Sequence, residues 1–166
     1  MAVLPIRTLP DPVLRQKAKR VRTIDSSVKK LISDMLETVH ADAGRAGLAA
    51  PQVGVPLRVA VIAIPDEAEI VLINPEIVRR KGEKPVTEGC LSVPGYYGQI
   101  RRASAVTVKG LDQNGKETRI KAEGYLAQAL QHEIDHLNGM LYTDHLESRA
   151  DLYELNTDKD QPLSYP

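Results

Sequence analysis

Two histidines four residues apart, in Gln131-His132-Glu133-Ile134-Asp135-His136-Leu137, constrain this chain more than any other stretch. On a helix such residues lie one above the other on the same face, so His132 and His136 can point at one ion. At about 100° per residue, Tyr125, Leu126, Ala129, Leu130, Glu133, Ile134, His136 and Leu137 share with His132 an arc of roughly 200°. Gln128, Gln131, Asp135 and Asn138 fill the opposite arc. The pattern predicts an amphipathic helix over residues 124–138 with Glu133 in its buried stripe. The histidine spacing alone fits an ordinary surface or core pair as readily as a metal site. Glu133 tips the balance, because a carboxylate on an apolar stripe needs a cation or a proton at hand.

The chain has 166 residues, enough for one domain with a sizeable core and too few for two ordinary ones. A single domain over residues 1–155 is expected, followed by a polar tail at 156–166. Phe and Trp are absent, which leaves an aliphatic core with a few Tyr. Because 22 Lys and Arg balance 22 Asp and Glu, no global field draws nucleic acid or an anionic membrane. The basic residues between Arg7 and Lys30 read as the solvated face of a segment that also looks helical. No apolar run reaches the roughly 18 residues of a membrane span, and Arg7 and Asp11 interrupt any signal-peptide core. One cysteine, Cys90, rules out an intramolecular disulfide; alone it reads most simply as a small buried hydrophobe. These features predict a cytoplasmic protein with no membrane or direct nucleic-acid partner, and a monomer is expected.

Along the chain, residues 1–24 are extended and punctuated by Pro5, Pro10 and Pro12, a start that can wrap the surface without contributing chemistry. Asp25, Ser26 and Ser27 offer caps for a core helix whose Val28, Leu31, Ile32, Met35, Leu36 and Val39 keep helical spacing, ending near Gly44. Residues 44–54 are nearly all small. Composition favours a tight connection packed under the next strand over a substrate groove with Gln52 as its polar group. Residues 58–64 and 70–79 read as strands, as do 105–109 and 118–122 on either side of the hairpin signal Asp112-Gln113-Asn114-Gly115. Residues 148–155 read as a short helix. Strands in hairpin order around one helix predict an α+β fold: antiparallel sheets packed around a central metal-binding helix, with an N-terminal core helix and a short C-terminal helix.

Two histidines leave a tetrahedral site short of a third protein ligand and an open position. Cys90 can supply the ligand as a thiolate, with Gly89 letting the backbone come close.

Taken together, Gly47-Leu48-Ala49-Ala50-Pro51-Gln52, Glu88-Gly89-Cys90-Leu91-Ser92 and His132-Glu133-Ile134-Asp135-His136 resemble the three signature motifs of the peptide deformylases, in order and in spacing. The resemblance runs from Pro10-Asp11 to about Leu146. It implies a metallohydrolase that removes the formyl group from the N-terminal formyl-methionine of nascent chains. By position in those motifs it implies Cys90, His132 and His136 as metal ligands, Glu133 as general acid and base, and Gln52 with the Leu91 N–H as the oxyanion hole. It points to one divalent ion, Fe²⁺, replaceable by Ni²⁺ or Co²⁺ and less well by Zn²⁺. The substrate is expected to lie extended along Ala46, Gly47 and Gly89. Tyr125 and Ala129, on the ligand face before His132, are candidates for the methionine pocket or for plain core packing. Glu88 and Asp135 are candidates for orienting the histidines from behind, with a surface salt bridge as the other reading of Asp135. One position departs from the family pattern: Arg45 stands where the first motif usually has glycine. Many bacterial members also end in a basic helix that docks on the ribosome. Here Asp144, Glu147, Asp151, Glu154, Asp158 and Asp160 outnumber Arg149 and Lys159, so weak or no docking is expected.

Two rival readings remain at this point. A zinc protease of the H-E-x-x-H type would use Gly139, which fits the extended form of that motif. It would have Tyr142 in place of the third histidine, would need an acid such as Glu154, and would leave Cys90 idle. A non-catalytic structural metal protein would need a fourth protein ligand, and the sequence shows no obvious one.

Overall fold

Helix α1 (Ser26–His40) starts where its cap predicts, with the Asp25 carboxylate accepting from the Val28 N–H at 3.0 Å. The computed structural model describes residues 2–155. Strands β1 (Gly47–Ala49), β2 (Val59–Ile62), β3 (Ile70–Lys81), β6 (Ala105–Leu111) and β7 (Glu117–Glu123) form one antiparallel sheet in the order β1-β2-β3-β6-β7. Strands β4 (Lys84–Gly89), β5 (Tyr96–Arg102) and β8 (Leu152–Glu154) form a second, in the order β4-β5-β8. Helix α2 (Gly124–Leu137) carries both histidines of the opening motif. The fold is α+β with antiparallel sheets, as the hairpin order predicts.

The Val59-Ala60-Val61-Ile62 run of β2 has no polar alternation because both of its faces are buried. Val59 and Val61 pack with Val28, Ile32, Met35 and Val39 of α1. Ile62 packs with Leu130 and Ile134 of α2, beside Leu72, Val106 and Val108. Each such fully buried Leu, Ile or Val is worth about 1.5–3 kcal/mol relative to exposure, so this double burial fixes both helices on the sheet. At the β6–β7 hairpin, the Asp112 carboxylate accepts from the N–H groups of Asn114 and Lys116, and Gly115 takes φ +80°.

Several expectations need correction. α2 has no wet face: Gln128, Gln131 and Asp135, on the arc opposite the apolar stripe, are all buried. Gln128 donates to the Thr87 carbonyl at 3.1 Å, while Gln131 accepts from the Ala103 N–H and donates to its carbonyl. The helix is therefore clamped between the two sheets, with Gln128 serving the backbone of β4 and Gln131 that of the connection from β5 to β6. The basic stretch from Arg7 to Lys30 is helical only from Ser26 onward. Before that come extended chain and a single 3-10 turn at Pro12–Arg15. α1 stops at His40, short of Gly44. The short C-terminal helix is a 3-10 turn at Arg149–Asp151, followed by strand β8. The tail at 156–166 lies outside the described residues.

The N-terminal segment is more than a wrapper. Its Ala2 and Leu4 N–H groups donate to the Asp34 and Thr38 side chains of α1. Farther on, Arg7 N–H donates to the Gln52 carbonyl at 2.7 Å and Leu9 N–H to the Ser92 carbonyl at 3.0 Å. One strap thus ties together the stretches that carry Gln52 and Cys90.

α2 ends in a glycine closure in which Met140 N–H donates to the Asp135 carbonyl and Gly139 sits at φ +74°. A β-carbon on Gly139 would lie 2.7 Å from the Arg15 carbonyl oxygen, so the helix end and the Pro12–Arg15 turn meet backbone to backbone. Gly139→Ala should cost about 2–3 kcal/mol of stability in urea unfolding, from the left-handed backbone and the collision together. A loss below about 0.5 kcal/mol would show that this contact does not fix the helix end.

Candidate active site

His132 and His136 project from the same face of α2 with their Nε2 atoms 3.3 Å apart. The turn following β4 presents Cys90, whose Sγ stands 3.3 Å from His136 Nε2. Two nitrogens bound to one tetrahedral ion at about 2.0–2.1 Å are separated by about 3.3 Å, and a nitrogen and a thiolate by about 3.6 Å. The three donors, all within 4.8 Å of one another, therefore have the spacing and chemistry to hold a single divalent ion. Among the described residues this is the group able to do so. Glu154, the acid a zinc protease would need, lies exposed on β8 opposite Tyr96.

Burial pushes the Cys90 thiol up, but the neighbouring His136 and His132 outweigh it and bring it down to about 5. The sulfur is thereby a thiolate at neutral pH, as a ligand must be. Burial likewise raises the Glu133 carboxyl; the two histidines oppose the rise, while Cys90 and Glu88 add to it. Glu133 is 5 % exposed, and its Oε1 has no hydrogen-bond partner. A β-carbon on Gly47 would come within 2.8 Å of Glu133 Oε2, so the small residue in β1 is what lets this carboxylate reach the strand.

His132 Nδ1 is 2.5 Å from Glu88 Oε1, which fixes the ring and leaves Nε2 for the cluster. Glu88 in turn is gripped by Arg102, with Nε donating to Oε2 at 2.9 Å and Nη2 to Oε1 at 2.7 Å. Burial would raise the Glu88 carboxyl, but this fork and the His132 charge hold it at about 2. Arg102 Nη1 also donates to Asp135 Oδ2 at 2.5 Å, and His145 Nε2 lies 2.8 Å from the same oxygen. Asp135 thus faces Arg102 and His145; its link to the histidine cluster runs through Arg102 and Glu88. It is buried, so a surface salt bridge does not describe it either.

Gln52 is buried with its Oε1 accepting from the Ala49 N–H at 3.0 Å. That bond turns the amide nitrogen toward Ser92 Oγ at 3.2 Å and Cys90 Sγ at 3.7 Å. A cavity of about 270 Å³ opens over these groups. Ala46, Gly47 and Gln52 line it from the β1 side, and Glu88, Gly89, Cys90 and Leu91 from the β4 side. Tyr125, Ala129, His132 and Glu133 line it from α2, while His136 lies behind at 1 % exposure. The residues singled out in the sequence are thus gathered around one cavity, Asp135 and His136 excepted. Tyr125 is pushed up to about 12 by burial and by the charges of Glu133 and Glu88.

Sequence reasoning missed Arg102 and His145. Arg102 is separated from Glu88 by 14 residues and from Asp135 by 33, and no local pattern marks an arginine as their partner. The one available signal was an acid beside each of the two ligand motifs, which together call for a buried cation.

The polypeptide deformylase family model matches residues 3–151. A peptide deformylase of Dehalococcoides mccartyi strain CBDB1 is 56% identical over 163 residues, which covers 98% of this chain and 97% of the relative. The crystal structure of a peptide deformylase from Legionella pneumophila superposes with a TM-score of 0.86 at 52% identity, covering 90% of this chain and 89% of that one. That of Synechococcus elongatus, in complex with actinonin, superposes at 0.85 and 45% identity over 89% and 81% of the two chains.

The Arg102 fork yields a direct test. Arg102→Met should cost about 3–5 kcal/mol in urea unfolding with chelator present, because it strands the buried Glu88 charge. Adding Glu88→Gln should recover part of that loss, with a coupling of at least about 1 kcal/mol. Additive single and double variants would show that the two groups do not stabilise each other.

Proposed function

The chain belongs to the polypeptide deformylase family, and from that premise we propose that it hydrolyses the N-formyl group of formyl-methionyl nascent chains in the cytoplasm, acting as a monomer with one divalent metal ion. The observation that carries the reading is the meeting of a thiolate, two histidines and a buried carboxylate at one cavity. Cys90, His132 and His136 would hold the ion. When bound, it polarises the formyl oxygen and acidifies water. A Cys and two His accept several first-row ions; Fe²⁺ is proposed from the family resemblance, with Ni²⁺ or Co²⁺ as substitutes and Zn²⁺ as a poorer one.

The remaining steps belong to the chain's own groups. β1 is three residues long and, among the described residues, pairs only with β2, so its outer edge is available to an extended peptide. The substrate main chain would run between Ala46 and Gly47 on one side and Gly89 on the other. Its methionine side chain would enter the cavity beside Tyr125 and Ala129. The Gln52 amide, already turned by its bond to Ala49, and the Leu91 N–H would donate to the formyl oxygen as negative charge develops there. Glu133, with Oε1 unpaired and its carboxyl raised by burial, would take a proton from the attacking water as the carbon–oxygen bond forms. It would return that proton to the leaving nitrogen as the carbon–nitrogen bond breaks. The products are formate and a free amino terminus.

Weak or no ribosome docking is proposed on the charge of the C-terminal segment, in which six acidic residues face two basic ones from Asp144 onward. Co-sedimentation with ribosomes at physiological salt should therefore be absent, and binding lost on deleting residues 157–166 would contradict the proposal.

The deciding experiment is formate release from a short formyl-methionyl peptide by protein loaded anaerobically with Fe²⁺, or with Ni²⁺ for oxygen stability. Wild type should turn over. Glu133→Gln should lose at least about a hundredfold in kcat while keeping its metal. Cys90→Ser should lose metal affinity, an outcome a zinc protease would not share. Activity surviving in Glu133→Gln would remove the proposed base, and no release from folded, metal-bound wild type would sink the reading.

A further inference from the structure

Arg45, whose position interrupts the small residues of the first motif, is not used by the reaction above. It follows Ala41-Asp42-Ala43-Gly44, four exposed residues that connect α1 to β1. Residues 42–45 make no backbone hydrogen bond to the rest of the described residues. What holds them is the Arg45 guanidinium. Nη1 donates to the Thr38 carbonyl at 2.6 Å, in the last turn of α1, where that oxygen also accepts from the Ala41 N–H at 3.3 Å. Nη2 reaches the Asp42 carboxylate at 2.8 Å, closing the loop on itself. The side chain is 16 % exposed, and it is held there although its Nε–H is buried without an acceptor. A surface arginine kept only for solubility would not bury that donor.

Gly44, Arg45, Ala46 and Gly47 follow one another along the cavity wall, and β1 begins at Gly47. The far side of β1 is fixed by β2, extended by the bond from the Ala63 N–H to the Ala46 carbonyl. Before Ala46, residues 42–45 have no strand partner among the described residues, and Arg45 supplies their anchor. We infer that Arg45 is a positioning residue that locks the loop between α1 and β1 onto the end of α1, so that the peptide-binding edge of β1 is ordered before substrate arrives. The inference rests on the proposed deformylase reading for its kinetic consequence. A main-chain edge contacts substrate and transition state alike, so loosening it weakens binding without slowing the chemical step. Lysine could donate to the Thr38 carbonyl but could not fork to Asp42 as well.

The test compares wild type, Arg45→Ala and Arg45→Lys, each loaded with Ni²⁺ and checked for an unchanged unfolding midpoint of the body. In Arg45→Ala, KM for a formyl-methionyl tripeptide should rise about tenfold, the cost of ordering roughly one further residue, while kcat stays within about twofold. Amide hydrogen exchange at residues 43–48, measured without substrate, should be faster in Arg45→Ala. Arg45→Lys should fall between the two on both readouts. Faster exchange with an unchanged KM would overturn the inference, because the lock would then serve the fold alone. So would a raised KM with unchanged exchange, or a kcat that falls while KM holds. Exchange needs no turnover, so it judges the lock separately from the deformylase reading.

Discussion

The buried guanidinium of Arg102 is the interaction on which the site depends, because it joins the strand leading to Cys90 with the helix that carries the histidines. Its fork grips Glu88 at the end of β4, and its remaining nitrogen grips Asp135 on α2. Burial lowers the proton affinity of a guanidinium, yet the charges of Glu88 and Asp135 more than compensate, and its pKa is raised. Each of these charges would be costly alone in this setting; together they hold two separate elements at one distance. A metal site needs that, since donors on different elements must stay within a few tenths of an ångström of their places. The hydrogen bonds of Gln128 to the β4 backbone and of Gln131 to Ala103, just past the end of β5, act in parallel and oppose rolling or sliding of α2 against the smaller sheet.

How much of this was legible depended on the distance over which each constraint acts. The register of α2 was legible because four-residue spacing is local, and so were the Asp25 cap, the β6–β7 hairpin and the core face of α1. The three stretches around Cys90, Gln52 and the histidines could be joined because each carries its own pattern. Strands β4, β5 and β8 were hidden. Lys84-Pro85-Val86-Thr87 and Tyr96-Tyr97-Gly98-Gln99 are half-buried mixtures with neither an apolar run nor clean alternation. The polar arc of α2 was misread for a related reason: a glutamine that serves another strand's backbone looks in sequence like one facing water. Arg102 and the N-terminal strap depend on partners far along the chain, which no window can reveal.

The strap gives the proline-rich start a purpose. By donating to the Gln52 and Ser92 carbonyls, Arg7 and Leu9 stitch the turn after β1 to the turn after β4. Gln52 and Ser92 are themselves in contact through their side chains, so the two turns are joined twice. Among the described residues the outer edge of β1 has no strand partner. Exposed strand edges invite unwanted pairing, and this one is kept to three residues and bordered by small side chains.

Glu133 shows what that arrangement is for. A carboxylate at 5 % exposure on an apolar stripe lowers stability unless something compensates, and no other feature of α2 requires an acid there. Ordinary core packing would have put a leucine in its place. Instead the fold accepts the cost. Gly47 gives up its β-carbon, and the helix is fastened by amides on its far side. The carboxyl is flanked by His132 and His136, whose charges oppose the rise that burial imposes. Burial thus holds the carboxyl above its ordinary range while the two histidines keep that rise in check. The histidine pair and the glycine opposite are the conditions under which one buried carboxylate can be held on this face of α2, which is what the proposed general base requires.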